Sequence, residues 1–217
     1  MRNWMQRPNF YLIRHGETDR NSSDPPSYRG GDDVPLNEEG MESAMALVNY
    51  LGYERLGQIV SSDLQRATAT AEPLLFMSCC GYIDMNPNFR PLDVGKFTGL
   101  PKTERNKKAL QHYIENPDEL IPGSTETVSQ FRSRNSEAFK QYACLSLSSE
   151  HPLVIVTHTS NVTCFYDEVK PDHGITPEGG DVIGPGGLMA VYVMGDKYEC
   201  EILLRSEASA EGTPEAS

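Results

Sequence analysis

The stretch Phe10-Tyr11-Leu12-Ile13-Arg14-His15-Gly16-Glu17-Thr18 decides the fold of this chain. Its apolar run is too short for a buried helix and reads as a strand, which stops abruptly at a cation, an imidazole and a glycine. Two more strands stop in the same manner. Residues 58–61 run into Ser61-Ser62-Asp63-Leu64-Gln65-Arg66-Ala67, and residues 152–157, the most hydrophobic strand, run into Thr157-His158-Thr159-Ser160-Asn161.

Helical patterns lie between these strands. Residues 37–50 carry acidic residues in the opening turn and apolar ones at helical spacing (Leu36, Met41, Ala44, Leu47, Val48). Residues 63–76 bury Leu64, Ala67, Ala71 and Leu74 on one face, residues 101–114 and 125–147 are helical, and a short helix starts near Asn161. Residues 82–85 read as a third strand after the second helix, and residues 188–194 and 198–204 as paired strands joined by Gly195-Asp196-Lys197. Strands alternating with helices imply an α/β fold with a mainly parallel sheet covered on both faces. Residues 1–205 read as one domain, and residues 206–217, Ala/Ser/Glu without a large apolar residue, as a disordered acidic tail.

Composition excludes several classes. A chain of 217 residues with 38% hydrophobic and 23% charged residues suits one soluble domain rather than a fibre or a wholly disordered protein. The longest apolar runs, such as residues 187–194, fall short of a membrane span, and residues 1–10 lack the apolar core of a signal peptide, so a cytoplasmic location is expected. A net charge of −12 argues against nucleic acid as the main partner, and it requires any positive charge for an anionic substrate to be focused in a pocket. The five cysteines, Cys79, Cys80, Cys144, Cys164 and Cys200, have neither disulfide-scaffold nor zinc spacing and read as small buried thiols.

In a parallel sheet the carboxyl ends of the strands share one edge, where the ligand crevice lies. Arg14, His15, Arg66 and His158 therefore converge although they are remote in sequence. Two guanidinium forks match the oxygens of a phosphoryl group, and cations beside an imidazole keep it neutral and nucleophilic. One histidine can attack phosphorus while the other donates hydrogen bonds to its oxygens. Gly16 lets the backbone pass close to the phosphate. No metal is required.

These blocks resemble the histidine phosphatase superfamily, in its phosphoglycerate mutase-like branch. Arg14-His15-Gly16-Glu17-Thr18 is similar to the RHG signature, the block from Ser61 to Ala67 with Thr70-Ala71 to the second block, Asp33-Val34-Pro35-Leu36-Asn37 and Gly40 to the entry of the first helix, and Thr157-His158 to the block of the second histidine. The resemblance implies a three-layer α/β/α sandwich, His15 as a nucleophile that forms a phosphohistidine, Arg14, Arg66 and His158 as the rest of the phosphate pocket, and Asn21 as a further phosphate contact. It also implies a phosphomonoester as substrate and no metal or cofactor. Three departures stand out. Thr159 replaces the usual glycine after the second histidine and is expected to narrow the pocket, and the loop from Thr18 to Asp33 is long. The usual glutamate is missing from Arg90-Pro91-Leu92-Asp93-Val94-Gly95, with Pro91 near its place. Asp93 is the nearest carboxylate and is nominated as the general acid, the alternative being a solvated strand-end aspartate.

The expected activity is hydrolysis of a small-molecule phosphomonoester. The alternatives are a cofactor-dependent phosphoglycerate mutase, disfavoured because residues 99–123 are short for a substrate-enclosing insertion, and a weakly active phospho-ligand or protein-binding module. Lys102, Arg105, Lys107 and Lys108 read as a solvated helix face, and Arg29 as a surface arginine or one that closes over substrate. Gly184-Pro185-Gly186-Gly187 lacks the lysine of a phosphate-binding loop and reads as a turn. His112, His151 and His173 have no metal-ligand spacing and read as surface residues.

Overall fold

A computed structural model describes residues 7–169 and 182–205; the acidic tail and His173 lie outside the described residues. The chain runs β1 (Phe10–Arg14), α1 (Asp19–Ser22), α2 (Glu38–Leu51), β2 (Ile59–Ser61), α3 (Gln65–Ala71), β3 (Ile83–Met85), α4 (Glu104–Glu115), α5 (Val128–Ser146), β4 (Leu153–Thr157), α6 (Thr159–Val169), β5 (Leu188–Met194) and β6 (Lys197–Leu204). The strands form one sheet in the order β3-β2-β4-β1-β5-β6. The first four are mutually parallel, while β5 and β6 run antiparallel as a hairpin closed by Gly195 at φ 64°.

Every residue of β1 and β4 is buried, because both faces of the sheet are covered. Phe10 and Leu12 point to the side carrying Phe139 and Tyr142 of α5 and Phe165 of α6, whereas Tyr11 and Ile13 point to Leu47 of α2, Ala67 and Ala71 of α3, and Leu74. The alternation of side chains along a strand thus feeds two separate cores, and the result is a three-layer α/β/α arrangement. A third apolar cluster of Leu92, Val94, Phe97, Tyr113, Ile121, Val128 and Phe131 sits under the segment between β3 and α5.

Local chemistry sets the helix ends. Asn37 caps α2 by accepting from the Gly40 N–H, and Thr127 and Gln130 form a capping box at α5. The helix expected over 63–76 ends at Ala71 and continues as a 3-10 turn, Glu72–Met77. Pro73 has no N–H for the Ala69 carbonyl, so the α-helical ladder cannot pass it. The helix expected over 101–114 begins at Glu104, since Pro101 is bridged to Ser27 and Thr103 supplies the cap. The cysteines differ from expectation. Cys79, Cys80 and Cys144 are exposed: the first two follow the 3-10 turn, and the third lies on the outer face of α5. No helix among the described residues is long and apolar enough to cross a membrane.

Candidate active site

The register between β1 and β4 places the two histidines together. Ile13 lies opposite Val156 and Arg14 opposite Thr157, so His15 and His158 leave the sheet side by side. Their ring centroids are 5.1 Å apart. β2 pairs with the other side of β4 at the same level, Ser61 opposite Val156, and delivers Arg66 in the first turn of α3. The four side chains are almost fully withdrawn from solvent: Arg14 is 2% exposed, His15 0%, Arg66 1% and His158 2%. Buried charge on this scale occurs only where it is held by hydrogen bonds or meets a ligand.

The hydrogen bonds fix much of this cluster. His15 Nδ1 lies 2.6 Å from the Gly16 carbonyl oxygen, which can only accept. The proton therefore sits on Nδ1, and the lone pair is on Nε2. That nitrogen, both ring nitrogens of His158 and Arg66 Nε have no hydrogen-bond partner among the described residues. Arg14 Nη1 donates to the Ile183 carbonyl at 3.0 Å. Arg66 donates to the carbonyls of Asp32 at 2.6 Å and Gly30 at 3.3 Å, which ties the long loop to α3. Thr70, one helical turn beyond Arg66, accepts from the Gly16 N–H at 2.9 Å and donates to the Arg66 carbonyl at 2.7 Å.

A backbone contact braces the nucleophile loop from the other side. A Cβ on Gly16 would lie 2.5 Å from the Gly40 oxygen, and one on Gly40 would lie 2.2 Å from the Glu17 oxygen. The loop after β1 and the first turn of α2 touch main chain to main chain, which explains why both motifs carry glycine there.

Electrostatics follow from this crowding. Burial drives the His15 pKa well below its ordinary value, and His158, Arg29, Arg66 and Arg14 push it the same way. Burial likewise drives His158 down, with help from Arg66, Arg29, Arg14 and Arg134. Both imidazoles are neutral at physiological pH. Arg66 is lowered by burial to about 10, with Asp33 and Asp32 opposing, and so keeps its charge.

The structure does not place Asp93 in the proton-transfer role nominated for it. Its Oδ1 accepts from the Gly95 N–H at 3.0 Å, and its Oδ2 accepts from the Thr125 N–H at 2.8 Å and the Thr125 hydroxyl at 3.0 Å. Burial pushes its pKa up, but the donors of Thr125, Gly95 and Ser124 outweigh that and hold it below the usual aspartate range. Both of its carboxylate oxygens are engaged in these bonds, so it is not a merely solvated aspartate. It fastens the segment at 93–95 to the turn before α5. Thr159 opens α6 and is half-buried.

Asn21 reaches the edge of the cluster, where its Oδ1 accepts from the Thr18 hydroxyl at 2.8 Å and from Arg29 Nη1. Arg29 is half-buried and acts on both histidines rather than lying on the open surface. Sequence reasoning passed over Arg134. Its guanidinium binds Glu126 at 2.7 Å and donates to the carbonyls of Asn88, Arg90 and Pro91, so it holds the segment that runs past His158. Its only signal was a charged residue of α5 at helical spacing from Phe131 and Ala138, both of which are buried. Glu17 is another: burial and Glu39 raise its pKa against Arg14 and Arg29. Lys107 pairs with Glu104, and His112 with Glu119, both on the surface as expected; His151 is half-buried. Among the described residues no group of three or more His, Cys, Asp or Glu is arranged to hold a metal ion.

A family model described as the histidine phosphatase superfamily (branch 1) matches residues 10–179. The metal-independent phosphoserine phosphatase of Arabidopsis thaliana is 30% identical to the chain over 160 residues, covering 71% of this chain and 66% of that one, so the match spans about two thirds of that relative. The probable phosphoglycerate mutase GpmB of Cronobacter sakazakii is 28% identical over 163 residues, 73% of each chain. Among solved structures, a mycobacterial glucosyl-3-phosphoglycerate phosphatase complexed with VO3 has a TM-score of 0.69, covering 91% of this chain and 98% of that chain at 21% identity, a likeness of fold.

Proposed function

The chain belongs to the histidine phosphatase superfamily, and from that premise we propose that it hydrolyses a small phosphomonoester through a phosphohistidine on His15, without a metal. The observation that carries this reading is the buried pair of neutral imidazoles, 5.1 Å apart, with His15 Nε2 carrying a lone pair in the field of Arg29, Arg66 and Arg14. In the first step the Nε2 lone pair forms a bond to phosphorus while the bond to the ester oxygen breaks. Arg14, Arg66 and His158 hold the phosphoryl oxygens and neutralise their charge. In the second step water attacks phosphorus and gives a proton to the group that protonated the leaving oxygen, the P–N bond breaks with its electron pair returning to Nε2, and inorganic phosphate leaves.

An alkoxide leaving group needs a proton in the first step. Asp93 is engaged elsewhere, and the reading assigns the proton to Glu17. Its raised pKa favours the protonated form more than an ordinary glutamate would, and it shares the surroundings of Arg14 and Arg29. The relative named as a metal-independent phosphoserine phosphatase supports hydrolysis of a phosphorylated hydroxyl compound, and the relative named as a probable phosphoglycerate mutase supports the mutase alternative.

The test compares wild type with His15→Ala on an aryl phosphate and on 3-phosphoglycerate with a bisphosphate primer. Phosphate release that disappears in the variant supports the phosphatase. Isomer interconversion supports a mutase, and phosphate binding without turnover supports a binding module; either outcome overturns the proposal.

A further inference from the structure

The segment from Thr18 to Pro35 is long and polar, and the structure shows it fastened along its length rather than loose. The Tyr28 N–H donates to the Leu100 carbonyl at 2.9 Å, the Gly99 N–H to the Tyr28 carbonyl at 2.8 Å, and the Lys102 N–H to the Pro26 carbonyl at 2.7 Å. On the other side of Arg29, Gly30 adopts φ 49°, and its carbonyl accepts from Arg66. Asp33 then accepts from the Gln65 N–H at 2.7 Å, at the start of α3. Arg29 is thus held between a residue docked on the segment at 99–100 and one docked on Arg66 itself. Its Nη1 donates to the Thr18 hydroxyl at 3.0 Å and to Asn21 Oδ1, both close to the nucleophile loop.

We propose that Arg29 is a third guanidinium of the phosphate pocket, contacting the transferring phosphoryl group beside Arg14 and Arg66; this rests on the phosphohistidine reading above. Two features of the structure carry it. The backbone bonds on both sides fix the main chain at Arg29, and Thr18 and Asn21 hold its Nη1 beside the nucleophile loop, as a pre-formed contact requires. The charges and the second ring that act on His15 are those of His158, Arg29, Arg66 and Arg14, and the field of Arg29 reaches both imidazoles. A fork anchored at Thr18 and Asn21, on a main chain whose next carbonyl is bound by Arg66, stands at the rim of the same pocket, where a bound anion would meet it. A third fixed positive charge favours the phosphate dianion over the monoanion, and it concentrates charge in a protein whose overall balance is −12.

The alternative role for Arg29 is to order the loop through Thr18 and Asn21 and nothing more. Arg29→Gln and Arg29→Lys separate the two roles. Titration of wild type and both variants with inorganic phosphate reads the pocket whether or not the chain turns over, so failure of this proposal is distinct from failure of the catalytic reading. Contact with the phosphoryl group predicts that Arg29→Gln binds phosphate at least about tenfold more weakly and loses about 10²-fold in kcat/KM on an aryl phosphate, with Arg29→Lys between it and wild type. It further predicts that the acid limb of kcat/KM moves to higher pH in Arg29→Gln and stays in place in Arg29→Lys, because removing a cation raises the pKa of His15. If Arg29→Gln lowers the unfolding temperature but leaves phosphate affinity and the acid limb unchanged, the residue only orders the loop and the proposal is wrong. Should Arg29→Gln fail to fold, Arg29→Lys decides: weaker phosphate affinity upholds the contact, and wild-type affinity overturns it.

Discussion

Gly16→Ala tests how the nucleophile is held. The added Cβ would stand 2.5 Å from the Gly40 oxygen and 3.0 Å from its Cα, about 0.9 Å short of the 3.4 Å at which ordinary contact begins. Both sides of the contact are main chain, so no flexible side chain can move aside. Gly40 cannot retreat freely either, since its N–H is held by Asn37 at 2.8 Å at the start of α2. The loop after β1 must shift instead. That costs about 2 kcal/mol, the middle of the range for overpacking, and lowers the unfolding temperature by roughly 4–8 °C in a chain of this size. The same shift displaces the Gly16 carbonyl that orients His15 Nδ1 and the Gly16 N–H bonded to Thr70. A nucleophile misplaced by close to an ångström loses on the order of 10²-fold in rate. Thermal unfolding and kcat/KM on an aryl phosphate, measured together, check both effects. A Gly16→Ala variant with wild-type stability and wild-type turnover refutes the argument that this close approach positions His15.

Other predictions follow from the same geometry. Asp93→Asn leaves the alkyl phosphate rate within about twofold but lowers the unfolding temperature, because an amide cannot accept all the hydrogen bonds given by Gly95 and Thr125; a large loss of alkyl phosphate turnover in a stable variant would restore Asp93 as the acid. Glu17→Gln slows alkyl phosphates at least about tenfold more than aryl phosphates, whose leaving groups need no proton; equal slowing of both removes Glu17 from proton transfer. Without bound phosphate, stability falls as the pH drops below about 6.5, by up to about 1.4 kcal/mol per pH unit for each buried histidine, since the unfolded chain takes up protons that folded His15 and His158 refuse. Denaturant midpoints at about pH 5 and pH 7 measure this, and His158→Gln should reduce the difference. Arg134→Ala destabilises far more than Lys107→Ala, because it leaves the Glu126 carboxylate and the carbonyls of Asn88, Arg90 and Pro91 without their donor, whereas Lys107 pairs only with exposed Glu104; equal unfolding temperatures would contradict it.

What the sequence revealed depended on how local the cause was. Parallel strands buried on both faces write themselves as continuous apolar runs, so Phe10–Arg14 and Leu153–Thr157 and the polar residues at their ends were legible, and with them the meeting of His15 and His158. Arg66 was legible because it lies in the first turn of a helix that directly follows a strand. Pro73 was visible too, but the change from α to 3-10 geometry turns on one missing N–H inside an otherwise unbroken apolar pattern. The fate of Asp93 was not legible, since its partner Thr125 lies 32 residues away and meets it only through a tertiary contact. Arg29 was ambiguous for a similar reason. The bonds that fix it run through the main chain of Tyr28, Gly30 and Leu100, and main-chain pairing of an irregular loop has no signature in residue type.

The most direct measurement of the central claim is a crystal structure of the chain with orthovanadate bound. The account predicts vanadium bonded to His15 Nε2, with Arg14, Arg66 and His158 donating to the vanadate oxygens. Vanadate seated elsewhere, or held in this pocket with Nε2 of His15 turned away from the metal centre, contradicts it.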